Sequence, residues 1–245
     1  MNVLGLFEGI GGLSLGLERA GMAVVGQVEI NPFCQQVLAK HWPEVPRHDD
    51  VRTAVQWWRS QRRPAVDVVA GGFPCQPVSD SGLKLAQQDE RWLWPAMFDV
   101  IAALRPTWVV AENVPGLHRR GLADVLRDLR RAGYRARAGL VSACAVGAPH
   151  ARERMFVLAH AESEGRCPWR HDRGSDLPQH GHQPHSGGPG GRGGWPAEPD
   201  VDRVAHGVPD GVDRRRALGN AVVPAVAEHI GRLITAGAIA ERNAA

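Results

Sequence analysis

Six short runs of aliphatic and β-branched residues punctuate this chain. They are Val3-Leu4-Gly5-Leu6-Phe7, Ala23 to Val28, Ala65 to Ala70, Thr107 to Ala111, Tyr134 to Ala143 and Arg154 to Ala159. Each is five to ten residues long, and four of the six adjoin a Gly, Pro or Asn, the pattern of a strand. Between them apolar positions recur at helical spacing. The spacing predicts helices from Leu13 to Ala20, Pro32 to Lys40, Arg52 to Arg63, Trp92 to Leu104 and Leu122 to about Leu129, and a last helix from Pro224 through Ile234. Gly21 and Gly133 stand where two of these should stop, and Pro95 and Pro224 where two should begin. Strands alternating with helices predict an α/β fold, a mostly parallel sheet with helices on both faces, in a Rossmann-like arrangement.

The pattern breaks from Gly165 to Gly194. That tract holds nine glycines and four prolines, and Leu177 is its only aliphatic residue. It offers too little apolar surface to offset its ordering entropy and reads as a mobile insert. The expected organisation is a main domain over 1–160, a short Gly/Pro/His-rich insert over 161–202, and a segment over 203–245 that completes the main domain. His171, His180, His182, His185 and Cys167 fall in the insert, but their spacing matches no standard zinc site, so no metal is expected.

Composition adds bounds. The chain has 245 residues, 43% hydrophobic, with formal net charge +3. That charge permits nucleic-acid binding without arguing for it. Cys34, Cys75, Cys144 and Cys167 are far apart and form no C-x-x-C pair, which suits a reducing cytoplasm. No stretch approaches the ~18 apolar residues of a membrane span. The expectation is a soluble cytoplasmic protein, monomeric, with no membrane partner.

The candidate chemistry lies at the carboxyl ends of the expected strands, where open α/β sheets bind ligands. Gly71-Gly72-Phe73-Pro74-Cys75-Gln76-Pro77 follows the third run. Two glycines allow a sharp exit, and two prolines stiffen the loop around one thiol. A buried structural cysteine is the plain reading; a nucleophile is the sharper one. Glu8-Gly9-Ile10-Gly11-Gly12 is a glycine-rich turn leading into a helix, without the G-x-G-x-x-G spacing of a dinucleotide site. Glu29, ending the second run, is placed to accept from both hydroxyls of a ribose. Asp50 reads equally well as an acceptor for an adenine amino group, with Val51 against the ring, or as a helix N-cap. Glu112 and Asn113 end the fourth run. Arg152 and Arg154 alternate onto one strand face, either as a site or as a solvated edge.

Taken together these segments resemble the DNA (cytosine-5) methyltransferases of bacteria and phages. Leu6 to Gly12 looks like the first cofactor motif, with Glu8 where Ala or Ser is more usual. Gly72 to Ser79 is similar to the nucleophile loop, with Val78 in place of an aromatic. Glu112-Asn113-Val114 resembles the catalytic acid motif, Arg152-Glu153-Arg154 the paired-arginine motif, and Gly219 to Pro224 the last motif. Trp92-Leu93-Trp94 is a loose match to a further one. The resemblance implies S-adenosyl-L-methionine as cofactor, held by Phe7, Gly9, Ile10, Gly11, Gly12, Leu13, Glu29, Ile30, Asp50, Val51, Pro74, Asn220 and Ala221. It implies Cys75, Glu112, Asn113, Arg152 and Arg154 as catalytic residues acting on a cytosine flipped out of double-stranded DNA, with a cognate restriction endonuclease as a further partner; 1–160 is then the catalytic and cofactor-binding domain and 161–202 a vestigial target-recognition insert. A tRNA cytosine-5 methyltransferase and a catalytically weak DNA-binding relative are the alternatives. A nicotinamide oxidoreductase fits less well, because it has no use for the Cys–Glu–Arg set.

Overall fold

The structure, a computed structural model, describes residues 1–74, 92–162 and 211–243. Its centre is a seven-stranded sheet built from β1 (Asn2–Leu6), β2 (Ala23–Val28), β3 (Arg47–His48), β4 (Val68–Gly72), β5 (Trp108–Asn113), β6 (Tyr134–Ser142) and β7 (Glu153–Ala161). The order is β3-β2-β1-β4-β5-β7-β6. The first five strands are parallel, and β7 is antiparallel to both β5 and β6. The insert tract, with its histidines and Cys167, and Cys75 of the nucleophile loop lie outside the described residues.

The central strands are apolar on both sides because helices cover both sides. On one face Leu4, Leu6, Val69 and Val109 pack against Met97 and Ile101 of α4 (Trp94–Leu104) and Val125 and Leu129 of α6 (Leu122–Arg131). On the other, Val3, Val68 and Val110 pack against Leu13 and Leu17 of α1 (Gly12–Arg19) and Val226 and Ile230 of α8 (Pro224–Asn243). The two terminal helices touch almost backbone to backbone. A Cβ on Gly16 would lie 2.4 Å from Ala227 Cβ and 2.4 Å from the Pro224 carbonyl oxygen. The remaining helices are α2 (Pro32–His41), α3 (Ala54–Arg59), α5 (Leu117–Arg120) and α7 (Gly211–Asn220), with a 3-10 turn at Val51–Thr53.

Several boundaries differ from the sequence expectation, each for a local reason. The strand expected at Ala65 to Ala70 runs instead from Val68 to Gly72, so both glycines belong to it rather than turning the chain out. Gly71 faces the Leu6 carbonyl oxygen and Gly72 faces Glu112 Oε2, each 2.7 Å from where a Cβ would stand. Helix α3 stops at Arg59 rather than Arg63; Arg63 folds back so that its guanidinium sits 4.3 Å from the Trp57 ring centre. Leu218-Gly219-Asn220 ends a helix, α7, that the pattern did not announce. Arg152 precedes β7 and shares no strand face with Arg154.

Two pairings position the chemistry. Gly72 stands opposite Glu112 on the parallel neighbour, so the end of β4 abuts that carboxyl. Because β7 runs antiparallel to β5, its first residues arrive at the carboxyl end of β5, with Asn113 opposite Met155 and Arg154 one step further on.

Candidate active site

A cavity of about 540 Å³ opens along the carboxyl edge of the parallel strands, within the usual size range of small-molecule sites. One end is built on β1 and β2. Phe7 leaves β1 with φ 53° and Gly9 has φ 56°. For Phe7 this left-handed backbone is a strained exception, of the kind that clusters at sites. The turn carries the Gly9 amide to Glu29, whose Oε2 accepts it at 2.7 Å. The Asn31 amide donates to Glu29 Oε1, also at 2.7 Å. Glu29 is 9% exposed and lines the cavity with its remaining acceptor capacity.

Asp50 caps a turn, as one of its two readings expected, and it also borders the cavity. It accepts the Arg52 amide at 2.9 Å, capping the 3-10 turn, and it lines the cavity beside Val51. Phe7, Gly9, Leu13 and the exposed Ile30 also line this end. Ile10, Gly11 and Gly12 do not belong to the wall. Gly11 caps α1 beneath the Trp42 ring, and Gly12 lies against the Val222 carbonyl. The two glycines allow the turn and its packing rather than facing the space.

At the other end Glu112 is 7% exposed, and burial pushes its carboxyl up to about 7 against the opposing pull of Arg154 and Arg152. Arg154 Nε lies 2.9 Å from Glu112 Oε1. The guanidinium favours the ionised carboxyl, and burial outweighs it. Asn113 Nδ2 donates to the Phe73 carbonyl at 2.8 Å, and its Oδ1 accepts the Val114 amide. The backbone two residues before Cys75 is therefore fixed to β5. Pro74, Glu112, Asn113 and Arg154 line the same cavity as Glu29 and Asp50.

Arg152 is not in the wall. Its Nη2 donates to the carbonyls of Gly219 and Ala221, the latter at 2.9 Å. Asn220 and Ala221 do line the cavity, together with Asp213, Arg216 and Ala217 of α7. The sequence offered no signal for those three, since α7 has no apolar stripe. Asn31 and Phe33 also line the space, and here a signal existed: Asn31-Pro32 starts α2, with the Asn31 side chain accepting the Cys34 amide at 3.2 Å.

The turn between Phe7 and Gly11 contains one more acid. Glu8 is 7% exposed, and its Oε1 accepts from the Ser14 hydroxyl at 2.7 Å. Burial foremost pushes its carboxyl up to about 7, with Glu29 and Glu18 adding to the effect. Its Oε2 has no partner. Among the described residues no group of His, Cys, Asp and Glu could hold a metal ion, and no helix is long and apolar enough to cross a membrane.

Comparison with known proteins finds relatives for this sequence and this fold. The family profile for C-5 cytosine-specific DNA methylase matches residues 1–182. Type II methyltransferase M2.BsuMI of Bacillus subtilis is 36% identical over 171 residues, covering 65% of this chain and 42% of that protein. Type II methyltransferase M.AplI of Arthrospira platensis is 34% identical over 161 residues, covering 64% and 45%. The match thus spans less than half the length of these relatives. Among solved structures, an E. coli prophage-encoded protein described as a DNA modification methyltransferase aligns with TM-score 0.55 and 29% identity, over 66% of this chain and 47% of the other. The S. pombe Dnmt2 methyltransferase shares the fold, with TM-score 0.56 and 23% identity over 68% and 53%.

Proposed function

This chain belongs to the C-5 cytosine-specific DNA methylase family, and on that premise we propose that it transfers a methyl group from S-adenosyl-L-methionine to C5 of a cytosine in double-stranded DNA. The observation that carries the reading is one cavity walled at one end by Glu29 and Asp50 and at the other by Glu112, Arg154 and the Pro74 end of the cysteine loop. The first pair suits a ribose and an adenine amino group; the second set suits a pyrimidine.

The residues fit the cofactor. Glu29 retains free acceptor capacity for ribose hydroxyls, Asp50 retains Oδ2 for the adenine amine, and Ile30 offers an exposed apolar side chain for the ring. When bound, S-adenosyl-L-methionine supplies an electrophilic methyl group.

The chain's own residues do the rest. The Cys75 thiolate adds to C6 of the base, forming an Sγ–C6 bond and moving the C5–C6 electron pair towards C5, with charge reaching N3 and O2. Glu112, held near neutrality by burial, carries a proton that it donates as a hydrogen bond to N3. Arg154 donates to O2, where the fixed positive charge offsets what develops. Asn113 keeps the loop backbone in place through the Phe73 carbonyl. Once C5 carries the methyl group, its proton leaves to water and the Sγ–C6 bond breaks. A stacked base cannot reach this cavity, so the reaction needs a flipped nucleotide. A soluble cytoplasmic setting and a cognate restriction endonuclease are proposed with the same reading.

The test is transfer of labelled methyl from S-adenosyl-L-methionine to a random-sequence DNA duplex, with tRNA as the parallel substrate. Label in duplex cytosine is expected. A duplex carrying fluorine at cytosine C5 should then leave protein and DNA covalently joined, and Cys75→Ser should abolish the join. Label in tRNA alone would refute the DNA reading, and methylation of ordinary duplex without any trapped complex would refute the covalent step.

A further inference from the structure

We infer that Arg152 is a positioning residue for the cofactor cavity: it pins the end of α7 to the sheet, and so holds in place the wall formed by Ala217, Asn220 and Ala221. The inference rests on the cofactor reading above and replaces a direct role for Arg152 with an indirect one.

The argument begins with the helix end. The last carbonyls of a helix have no partner within it and carry its negative pole. In α7 the Ala221 amide returns to the Ala217 carbonyl at 3.0 Å, closing the last turn. The Gly219 carbonyl in that turn, and the Ala221 carbonyl just beyond it, both accept from Arg152 Nη2. One guanidinium nitrogen thus satisfies two carbonyls 67 and 69 residues away in sequence. Its charge also opposes the helix pole, which makes these bonds stronger than neutral ones.

The rest of α7 has few other anchors. Val212, Asp213, Arg214, Arg216, Leu218, Gly219 and Asn220 are exposed, and among its described side chains Ala217 alone is buried. By contrast the chain just after it is fixed by packing, with Val222 against Gly12 and Pro224 and Ala227 against Gly16. Arg152 itself sits on the short connection before β7, two residues from Arg154 and its ion pair with Glu112. The arginine therefore ties one stretch of the cavity wall, Ala217 to Ala221, to the strand that carries Arg154, without itself lining the cavity.

The experiment uses the full chain. S-adenosyl-homocysteine affinity is measured by calorimetry for wild type, Arg152→Met and Arg152→Lys, and methyl transfer to duplex DNA is measured at saturating cofactor. Loss of charge-assisted hydrogen bonds is expected to weaken Arg152→Met at least about tenfold in affinity. Its turnover at saturating cofactor should fall by less than about threefold, and Arg152→Lys, which reaches one carbonyl, should recover part of the affinity. Amide exchange over residues 216–221 in the ligand-free protein should quicken in Arg152→Met, a result that does not depend on the cofactor reading. Unchanged affinity and exchange in a folded variant overturns the inference, as does a turnover loss as large as the affinity loss, which would put Arg152 on the base or the DNA. Should Arg152→Met fail to fold, Arg152→Lys carries the same comparison. If wild type binds no S-adenosyl compound while exchange still responds to Arg152, the cofactor reading fails and the tether stands.

Discussion

Replacing Glu8 by Gln should change how stability depends on pH, and by an amount the structure sets. Glu8 lies under the first turn of α1, with one oxygen on the Ser14 hydroxyl and the other without a partner. Burial holds its proton from an ordinary value of 4.5 up to about 7. A folded-state value above the unfolded one means that the contribution to stability is fully present below about 4.5 and is lost as pH rises through about 7. At roughly 1.4 kcal/mol per pH unit, the interval corresponds to about 3 kcal/mol, most of it lost between about pH 5 and pH 8. Gln keeps an acceptor for Ser14 and cannot ionise. Glu112 titrates with the same sign, but it is present in both proteins and cancels in the comparison. Urea unfolding of wild type and Glu8→Gln across this range should therefore show the variant gaining about 2–3 kcal/mol on wild type from the acid to the alkaline end, or roughly 4–12 °C in melting temperature. Parallel stability curves for the two proteins would refute the claim that Glu8 is buried with its proton.

The same acid explains a neighbouring glycine. A Cβ on Gly5 would fall 1.5 Å from Glu8 Oε1, so Gly5→Ala should destabilise wild type but be far milder in a Glu8→Ala background. Chemical denaturation of the four proteins should give a coupling of roughly 1–3 kcal/mol, and additive effects would show that the side chain lies elsewhere. Glu29→Ala should weaken S-adenosyl-homocysteine binding by about 1.5–3 kcal/mol, the usual worth of hydrogen bonds to a charged acceptor; calorimetry with unchanged affinity would remove Glu29 from the site. Wild-type kcat/KM should fall as pH rises through about 7, where Glu112 gives up its proton. Glu112→Gln should lower kcat strongly at every pH and erase that limb while cofactor still binds.

Much of the fold was legible because its strands are buried on both faces and announce themselves as aliphatic runs. β2 was readable to the residue, since Ala23 to Val28 lies between the helix stop at Gly21 and the acid Glu29. Two acids that line the cavity were legible for the same reason: Glu29 and Glu112 stand where such runs stop. What failed was anything decided by contact across long sequence separation. Gly71 and Gly72 looked like an exit, but their lack of side chains makes room for Leu6 and Glu112. Arg152 and Arg154 looked like neighbours on one strand, yet Arg152 reaches 67 residues ahead. Helix α7 carries no apolar stripe, so no periodicity could reveal it. Glu8 stood out only as an unusual residue in its motif; that it folds over Gly5 could not be read from spacing.

The close contact between α1 and α8 has a consequence for how the chain is made. Gly16 is made first, and Ala227, its partner across the helix pair, is added more than two hundred residues later. At about 5–20 residues per second, the ribosome needs on the order of ten seconds or more to supply it. Until then Val3, Val68 and Val110 have a sheet face with no cover from Val226 or Ile230. The other face closes earlier, when α4 and α6 emerge. Between the synthesis of α1 and that of α8 the nascent sheet is thus one-sided, and a chaperone that shields apolar surface would find its site on the α1 side of the sheet, vacated only when α8 docks.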